Sequence, residues 1–303
     1  MPVVRGQNAE NLAPGLNFRT FNAYREKPEI FSRLVNVRNS TRAYEEDFAR
    51  AGFGPLAEKG ELETTILDEP IKLGGVRFVH KTLALGFVIS EEMRMDDQYN
   101  LAADLAQALG KSSRYTAELY GHDVYNNGFD SSKYVGRDGK PLFATDHPVY
   151  SGVAGTASNR PAVDVDLDEA ALEAAWANFQ TQVDDRGMPI DIMPEVLLVH
   201  PSQVLFARRL LESASLNAYG TNPGEINPLQ GMVRIVSSPY LTDMDAWMLL
   251  GPPSEIDVRF YWRQRPDTKT WDDDDADATI HKIKQRHSTG FGDWRGTYGS
   301  RGA

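Results

Sequence analysis

Asp146 and His147 stand side by side in "DGKPLFATDHPVYSG", residues 138 to 152, between glycines and prolines. A carboxylate and an imidazole are the parts of a general-base pair, and with a divalent cation they would suit a hydrolase. Such a pair needs its two side chains within hydrogen-bond reach and a third group to orient or activate. Adjacency works against this, because neighbouring side chains in an extended segment point to opposite sides. His147 precedes Pro148, which holds it extended. The reading favoured here is a stiff connector.

Other clusters fare no better. Asp272 to Asp275 offer hard-ion ligands, but consecutive aspartates alternate in direction and read as a solvated acidic turn. Asp164, Asp166 and Asp168 begin like a calcium loop. Glu169 then stands where the glycine belongs and Ala175 where the final glutamate belongs, so a helix cap is the better reading. Ser202 in "HPS" lies between a strand and a helix, flanked by Pro201 and Gln203 where a nucleophile elbow needs glycines; it reads as a cap. "GFGDWRG", from Gly290, misplaces the third glycine of a dinucleotide fingerprint. His80, His122, His147, His200, His281 and His287 include no pair at zinc spacing. No catalytic residue, metal ligand or cofactor site is therefore assigned, and the chain is not read as an enzyme.

Composition narrows the classes further. The chain has 303 residues, 41% of them hydrophobic, and a net charge of −11. Its overall field repels phosphate, so contact with DNA is expected to be weak and non-specific. There are no cysteines, hence no disulfide and no thiolate chemistry. No apolar run of about 18 residues marks a membrane span, and the N-terminus lacks an apolar signal core. A soluble protein is expected.

The elements that would position these residues are unevenly built. Residues 1–28 are polar and broken by Pro2, Gly6, Pro14, Gly15 and Pro28, which predicts a loose arm. Phe31, Leu34 and Val35 form a short apolar face. Residues 53–88 read as a two-stranded excursion, with one strand at 61–67 and another through Val76, Phe78 and His80. Ser90 should cap a helix running to about Tyr125, with Met95, Tyr99, Ala102, Ala106 and Leu109 on one face and Gly110 as a bend point. A second helix carries Leu172, Trp176, Phe179 and Val183. The buried strand "EVLLVH", the helix "PSQVLFARRLLESA" and strands in "GMVRIVSSPYL" and "AWMLLGP" complete a layered unit. After Ser254 two alternating strands flank the acidic turn, and "DWRGTYGSRGA" reads as a polar tail. The arm and the excursion have little to bury against within one subunit.

Several stretches together resemble the major capsid (head) proteins of tailed bacteriophages, particularly the Mu-type head subunit group. They are "GFVISEEMRMDDQYNLAADLAQALGKSSRYTAELYGHDVYNNGF", "GRDGKPLFATDHP", "LLVHPSQVLFARRLLES" and "SPYLTDMDAWMLL". The resemblance runs from about Ala43 to the C-terminus. It implies an α+β, Hong Kong 97-like capsid fold. Residues 1–28 would be the N-terminal arm, 29–52 the first part of the peripheral domain and 53–88 the extended loop lying over a neighbouring subunit. Residues 89–164 would carry the spine helix and connector, 165–253 the axial domain, and 254–303 the return strands of the peripheral domain with the tail. The implied function is self-assembly into hexamers and pentamers of an icosahedral head around double-stranded DNA, in a virion assembled in the host cytoplasm. Scaffold protein, head protease and portal are implied partners, with a decoration protein an option and no membrane. The scaffold would be a separate protein. Lys59, Lys72 and Lys81 lie in or beside the extended loop, but nothing marks one as reactive and no cross-link is expected. Two alternatives stand beside this reading: an encapsulin-like nanocompartment shell, and the hydrolase using Asp146 and His147.

Overall fold

The computed structural model describes residues 7–96, 100–149, 156–213 and 226–303. In chain order its elements are helix α1 (Gln7–Arg25), strands β1 (Asn36–Asn39), β2 (Tyr44–Ala51), β3 (Ile71–Val79) and β4 (Lys81–Ser90), and helices α2 (Glu91–Met95) and α3 (Leu101–Asn126). Two short strands, β5 (His147–Pro148) and β6 (Thr156–Ala157), precede α4 (Glu169–Gln180), β7 (Val196–Val199), α5 (Val204–Glu212), β8 (Arg234–Ser237) and β9 (Trp247–Leu250). The long strands β10 (Val258–Asp273) and β11 (Ala278–Phe291) and the short β12 (Thr297–Ser300) close the chain. The architecture is α+β.

Two four-stranded sheets organise it. The long sheet runs β1-β10-β11-β4 and the small sheet β12-β9-β7-β8. In the small sheet β7 is a continuous apolar run because both faces are covered. Val196 and Leu198 join the main core with Phe31, Leu34, Val124, Tyr125, Phe260 and Trp262. Leu197 and Val199 face the other way, against Leu172 and Phe179 of α4 and Leu210 and Leu211 of α5. One strand thus binds the two halves of the molecule together.

The helices cover one face of the long sheet. On β11, His281, Ile283, Gln285 and His287 are buried on that side. Gln285 meets Ser113 of α3 at 3.2 Å, and His281 meets Thr20 of α1 at 3.2 Å. At Gly110 α1 crosses α3 so closely that an added methyl would overlap the Thr20 carbonyl. Gly110 is therefore the crossing point of two helices, where sequence suggested a bend. Glu118 fixes the segment after α1, accepting the Ile30 and Phe31 backbone N–H groups at 2.9 and 3.0 Å.

Several expectations need correction. The stretch of 1–28 that the structure describes is mostly α1, with Pro14 inside it; packing on α3 outweighs the breakers. The helix after Ser90 is interrupted. Ser90 does cap α2, accepting from Met93 N at 3.2 Å, but α3 starts afresh at Leu101, after Asn100 in the left-handed region at φ 55. Met95 is exposed on α2, and Tyr99 lies outside the described residues, as do 1–6 of the expected arm, 150–155 of the connector and 214–225 of the layered unit.

The excursion is also paired differently. Residues 61–67 form no strand; β3 pairs instead with β2, with Tyr44 opposite Val79, while β4 joins the long sheet against β11. The consecutive acidic residues Glu45, Glu46 and Asp47 hid the strand character of β2. Finally, the glycine-rich tail is no loose tail. Thr297–Ser300 is buried as β12, pairing with β9, and Gly299 lets the strand lie against the Phe143 ring.

Candidate assembly interface

The connector holding Asp146 and His147 does not pair them. His147 is buried; its Nδ1 lies 2.6 Å from Asp138 Oδ2 and its Nε2 3.1 Å from Asn159 Oδ1. Its ring stacks on Trp294, with centroids 4.4 Å apart and planes 13° from parallel. Asp146 points outward to Lys140, and that pairing keeps its carboxyl below the usual range. Asn159 also accepts the Ala144 N–H at 3.0 Å and donates to the Leu142 carbonyl at 2.8 Å. The constellation ties the connector to the β11–β12 turn.

The other candidate residues separate too. Asp164 pairs with Arg160, Asp166 accepts the Ala303 N–H at 2.9 Å, and Asp168 caps α4 by accepting from Ala171 N at 2.6 Å. Ser202 does not cap α5: its hydroxyl donates to the Met244 carbonyl at 3.0 Å. Asp272 accepts from Thr279 Oγ1 at 2.7 Å. Asp293 of the glycine-rich stretch is clamped by Arg137 and Arg295, whose charges hold its carboxyl below the usual range against the opposing effect of burial. Among the described residues no three His, Asp or Glu side chains gather as a metal site. No described helix is long and apolar enough to cross a membrane. The histidines are structural props: burial holds His122 and His287 at about 4. His122 Nδ1 donates to the Glu118 carbonyl at 2.8 Å, and its Nε2 faces the Ser238 hydroxyl at 2.9 Å.

What stands out of the body is the β2–β3 hairpin and the excursion it carries. Residues 52–70 form no strand or helix. Phe53, Leu56, Ile66 and Leu67 are exposed, and Leu62 is wholly so. Exposed apolar side chains this dense mark an interaction surface. The mouth of the excursion is pinned by one residue of the small-sheet half. Arg186 donates through Nε to the Gly52 carbonyl at 3.0 Å and through Nη2 to the Glu69 carbonyl at 2.5 Å, with Asp68 Oδ1 at 3.3 Å. Arg186 sits on a tight turn closed by Asp184 N to the Met188 carbonyl at 2.8 Å. Sequence reading missed Arg186, because a lone arginine on a turn carries no signal until the loop mouth is placed beside it. At the hairpin base, Arg259 of β10 bridges Asp47 of β2 at 2.7 Å and its own neighbour Asp257. The excursion is thus braced at its root and bare at its tip.

Comparison with known proteins gives this arrangement a context. No curated protein sequence matches the chain. Among solved structures it is similar to the capsid of bacteriophage JBD30, with a TM-score of 0.58 and 16% identity over 71% of this chain and 92% of that one. The capsid structure of cyanophage P-SCSP1u gives 0.59 at 11% identity, covering 91% and 89%. A virus-like particle from Pyrococcus furiosus gives 0.55 at 9%, covering 95% and 98%. At such identities the likeness establishes the fold alone, and it is the Hong Kong 97-like capsid fold expected from sequence. The family model described as "Phage capsid protein" matches residues 76–300, so with most of its length inside that match the chain belongs to the phage capsid protein family.

Proposed function

We propose that this chain is the major subunit of an icosahedral phage head, closing hexamers and pentamers around double-stranded DNA. The observation that carries the reading is the bare excursion at 52–70. Its apolar side chains stay in water in the single subunit, and copies of the chain would give them burial. In this reading α1 belongs to the N-terminal arm, β2–β3 with its tip is the extended loop, and α3 is the spine helix of the peripheral domain. The axial domain spans about 165–253, and the long sheet carries the return strands. The motifs favour the Mu-type group within the family.

The role is structural and not catalytic. His147 and Asp146 serve separate partners, which removes the geometric basis of the hydrolase alternative. The nanocompartment alternative shares the fold, but membership of the phage capsid family favours the head. A scaffold protein, head protease and portal would be its assembly partners in the host cytoplasm, with a decoration protein as an option. Contact with the packaged DNA would be weak, given the net charge of −11.

Electron microscopy and sedimentation of the concentrated full chain, with and without a scaffold partner, test this. Rings, sheets or closed shells are expected. A monomer at every concentration and condition would overturn it.

A further inference from the structure

The pairing of β4 with β11 ends before β11 does. Its last pair sets Lys81 opposite His287, yet β11 runs on to Phe291, held on its other side by β10. Beyond that end, Gly292 N donates to the Asp257 carbonyl at 3.1 Å. By the alternation of an antiparallel ladder, Gly290 then turns its N–H and C=O to β10, while Thr289 and Phe291 turn theirs to the side β4 has left. β3 rests the Phe78 ring on Gly290 but forms its ladder with β2. Among the described residues no backbone group bonds Thr289 or Phe291 on that side. An open strand edge of this kind is a template for another chain. The β12 edge of the small sheet is closed by contrast, because Gly299 N donates to the Asn159 carbonyl at 3.1 Å.

A cleft of about 250 Å³ lies along this edge. Val79 and Lys81 line it from the β3–β4 junction, and Lys133, Tyr134 and Val135 from the connector, with Tyr120 of α3 between them in sequence. Val79 and Val135 are exposed, so the cleft has an apolar rim. Three cations line it and, among the described residues, no carboxylate does. Two of the three are engaged. Arg77 donates to Glu46 Oε1 at 2.6 Å and lies over the Tyr44 ring. Lys133 Nζ donates to Asp123 Oδ1 at 2.6 Å, and the Tyr134 hydroxyl donates to the other oxygen of Asp123. Lys81 has no ion-pair partner among the described residues; its Nζ rests 5.5 Å from the Tyr120 ring centre. A positive, valine-rimmed cleft in a chain of net charge −11 suits an acidic segment with aliphatic side chains.

We infer that this cleft receives an extended acidic segment of a second protein, which adds a strand to the open end of β11. Its backbone bonds the free N–H and C=O groups of Thr289 and Phe291, continuing the lane that β4 vacates at Lys81. Aliphatic side chains on its inner face lie between Val79 and Val135. Carboxylates on its outer face are met by Lys81, whose long flexible stem reaches over the rim. Backbone pairing supplies the affinity and the lysine selects for acid. The inference does not depend on the shell reading, because every group it uses belongs to one subunit.

The test uses the unassembled full chain and a fluorescein-labelled, end-blocked peptide alternating glutamate and valine. Fluorescence anisotropy should show saturable binding, and a lysine–valine peptide of the same length should not bind. Lys81→Glu should weaken binding about tenfold. Val135→Asp, on an exposed rim position, should weaken it as well with the urea midpoint unchanged. Amide exchange gives the decisive readout: the bound peptide should slow Thr289 and Phe291 and leave Gly290, already paired with β10, as it was. Binding without that protection, equal binding of the lysine peptide, or full affinity in both variants would overturn the inference. So would no binding at millimolar peptide. Tighter binding of single-stranded oligothymidine would give the cleft to nucleic acid, and binding confined to a peptide of residues 57–69 would give it to a second copy of this chain; either result overturns it too.

Discussion

His147 binds Asp138, nine residues earlier, and not Asp146 beside it. Asp138 is placed for this by its own turn, where its other oxygen accepts the Lys140 N–H at 3.1 Å. The pair is buried and stacked on Trp294, so it acts as a rivet between the connector and the end of β11.

That arrangement separates the two neighbours sharply in stability. His147→Ala leaves the Asp138 carboxylate buried without its partner, and the cost is expected at about 3–5 kcal/mol. Asp146→Ala removes a partly exposed ion pair and should stay within about 0.5 kcal/mol. Urea unfolding of the unassembled subunit measures both; equal effects would contradict the geometry.

Gly110 supplies a second contrast. In an open helix, Gly→Ala stabilises by about 1 kcal/mol. Here the added methyl meets the Thr20 carbonyl, so Gly110→Ala should destabilise by about 1–3 kcal/mol. Amide exchange should locate the loss in α1. An increase in stability would show that α1 does not seat on α3 in solution.

Acid should weaken the fold before the ordinary carboxylates titrate. His122 and His287 are held neutral by burial, at about 4 against about 6.5 in the unfolded chain. Their contribution is complete above about pH 6.5 and is lost as the pH falls toward 4, on the order of 3 kcal/mol for each residue. His287 lies among Phe260, Trp262 and Tyr120, and neither ring nitrogen has a hydrogen-bond partner among the described residues. His287→Phe should raise stability at pH 5 and flatten the profile between pH 7 and 4. An unchanged slope in melting temperature against pH would refute this.

Arg186 should govern the excursion without governing the fold. Arg186→Ala frees both ends of the 52–70 segment, and limited proteolysis within it should accelerate about tenfold, with the global melting temperature shifted by no more than about 2 °C. Arg186→Lys keeps the charge but not the fork that spans Gly52 and Glu69, and should recover little. Identical cleavage rates in all three proteins would remove Arg186 from this role.

Much of the body was legible because its signals are local. The run Val196–Val199 reads as a two-faced buried strand, and Ser90 and Asp168 announce helix starts by their own chemistry. What escaped depends on distant partners. Pro14 and Gly15 read as breakers, yet α1 forms where Gly110 of α3 makes room for it. Tyr44–Ala51 carries three acidic residues in a row, which breaks any alternation, and only β3 across from it, with Arg259 bridging to Asp47, shows it to be a strand. Gly296 and Gly299 look like tail residues until Phe143 and Trp247 are set beside β12. The connector was legible in its negative sense alone: adjacency ruled against the Asp146–His147 pair, while Asp138, Asn159 and Trp294 as the true companions of His147 required the folded chain.

Between Trp262 and Asp267 the pairing of β10 with β11 slips twice, just where the strands leave the main core. Irregularities of this kind bend and twist a ribbon locally. The inner stretch is anchored by Phe260 and Trp262, while the outer stretch toward the Asp273–Ala278 turn sits beyond the slip. The ribbon therefore has a crease, and in a shell of copies a bend there would change the angle at which its far end met a neighbour without disturbing the packing beneath. In the proposed shell, one sequence would have to tile corners and flat panels alike, and that crease would be the place to absorb the difference in curvature.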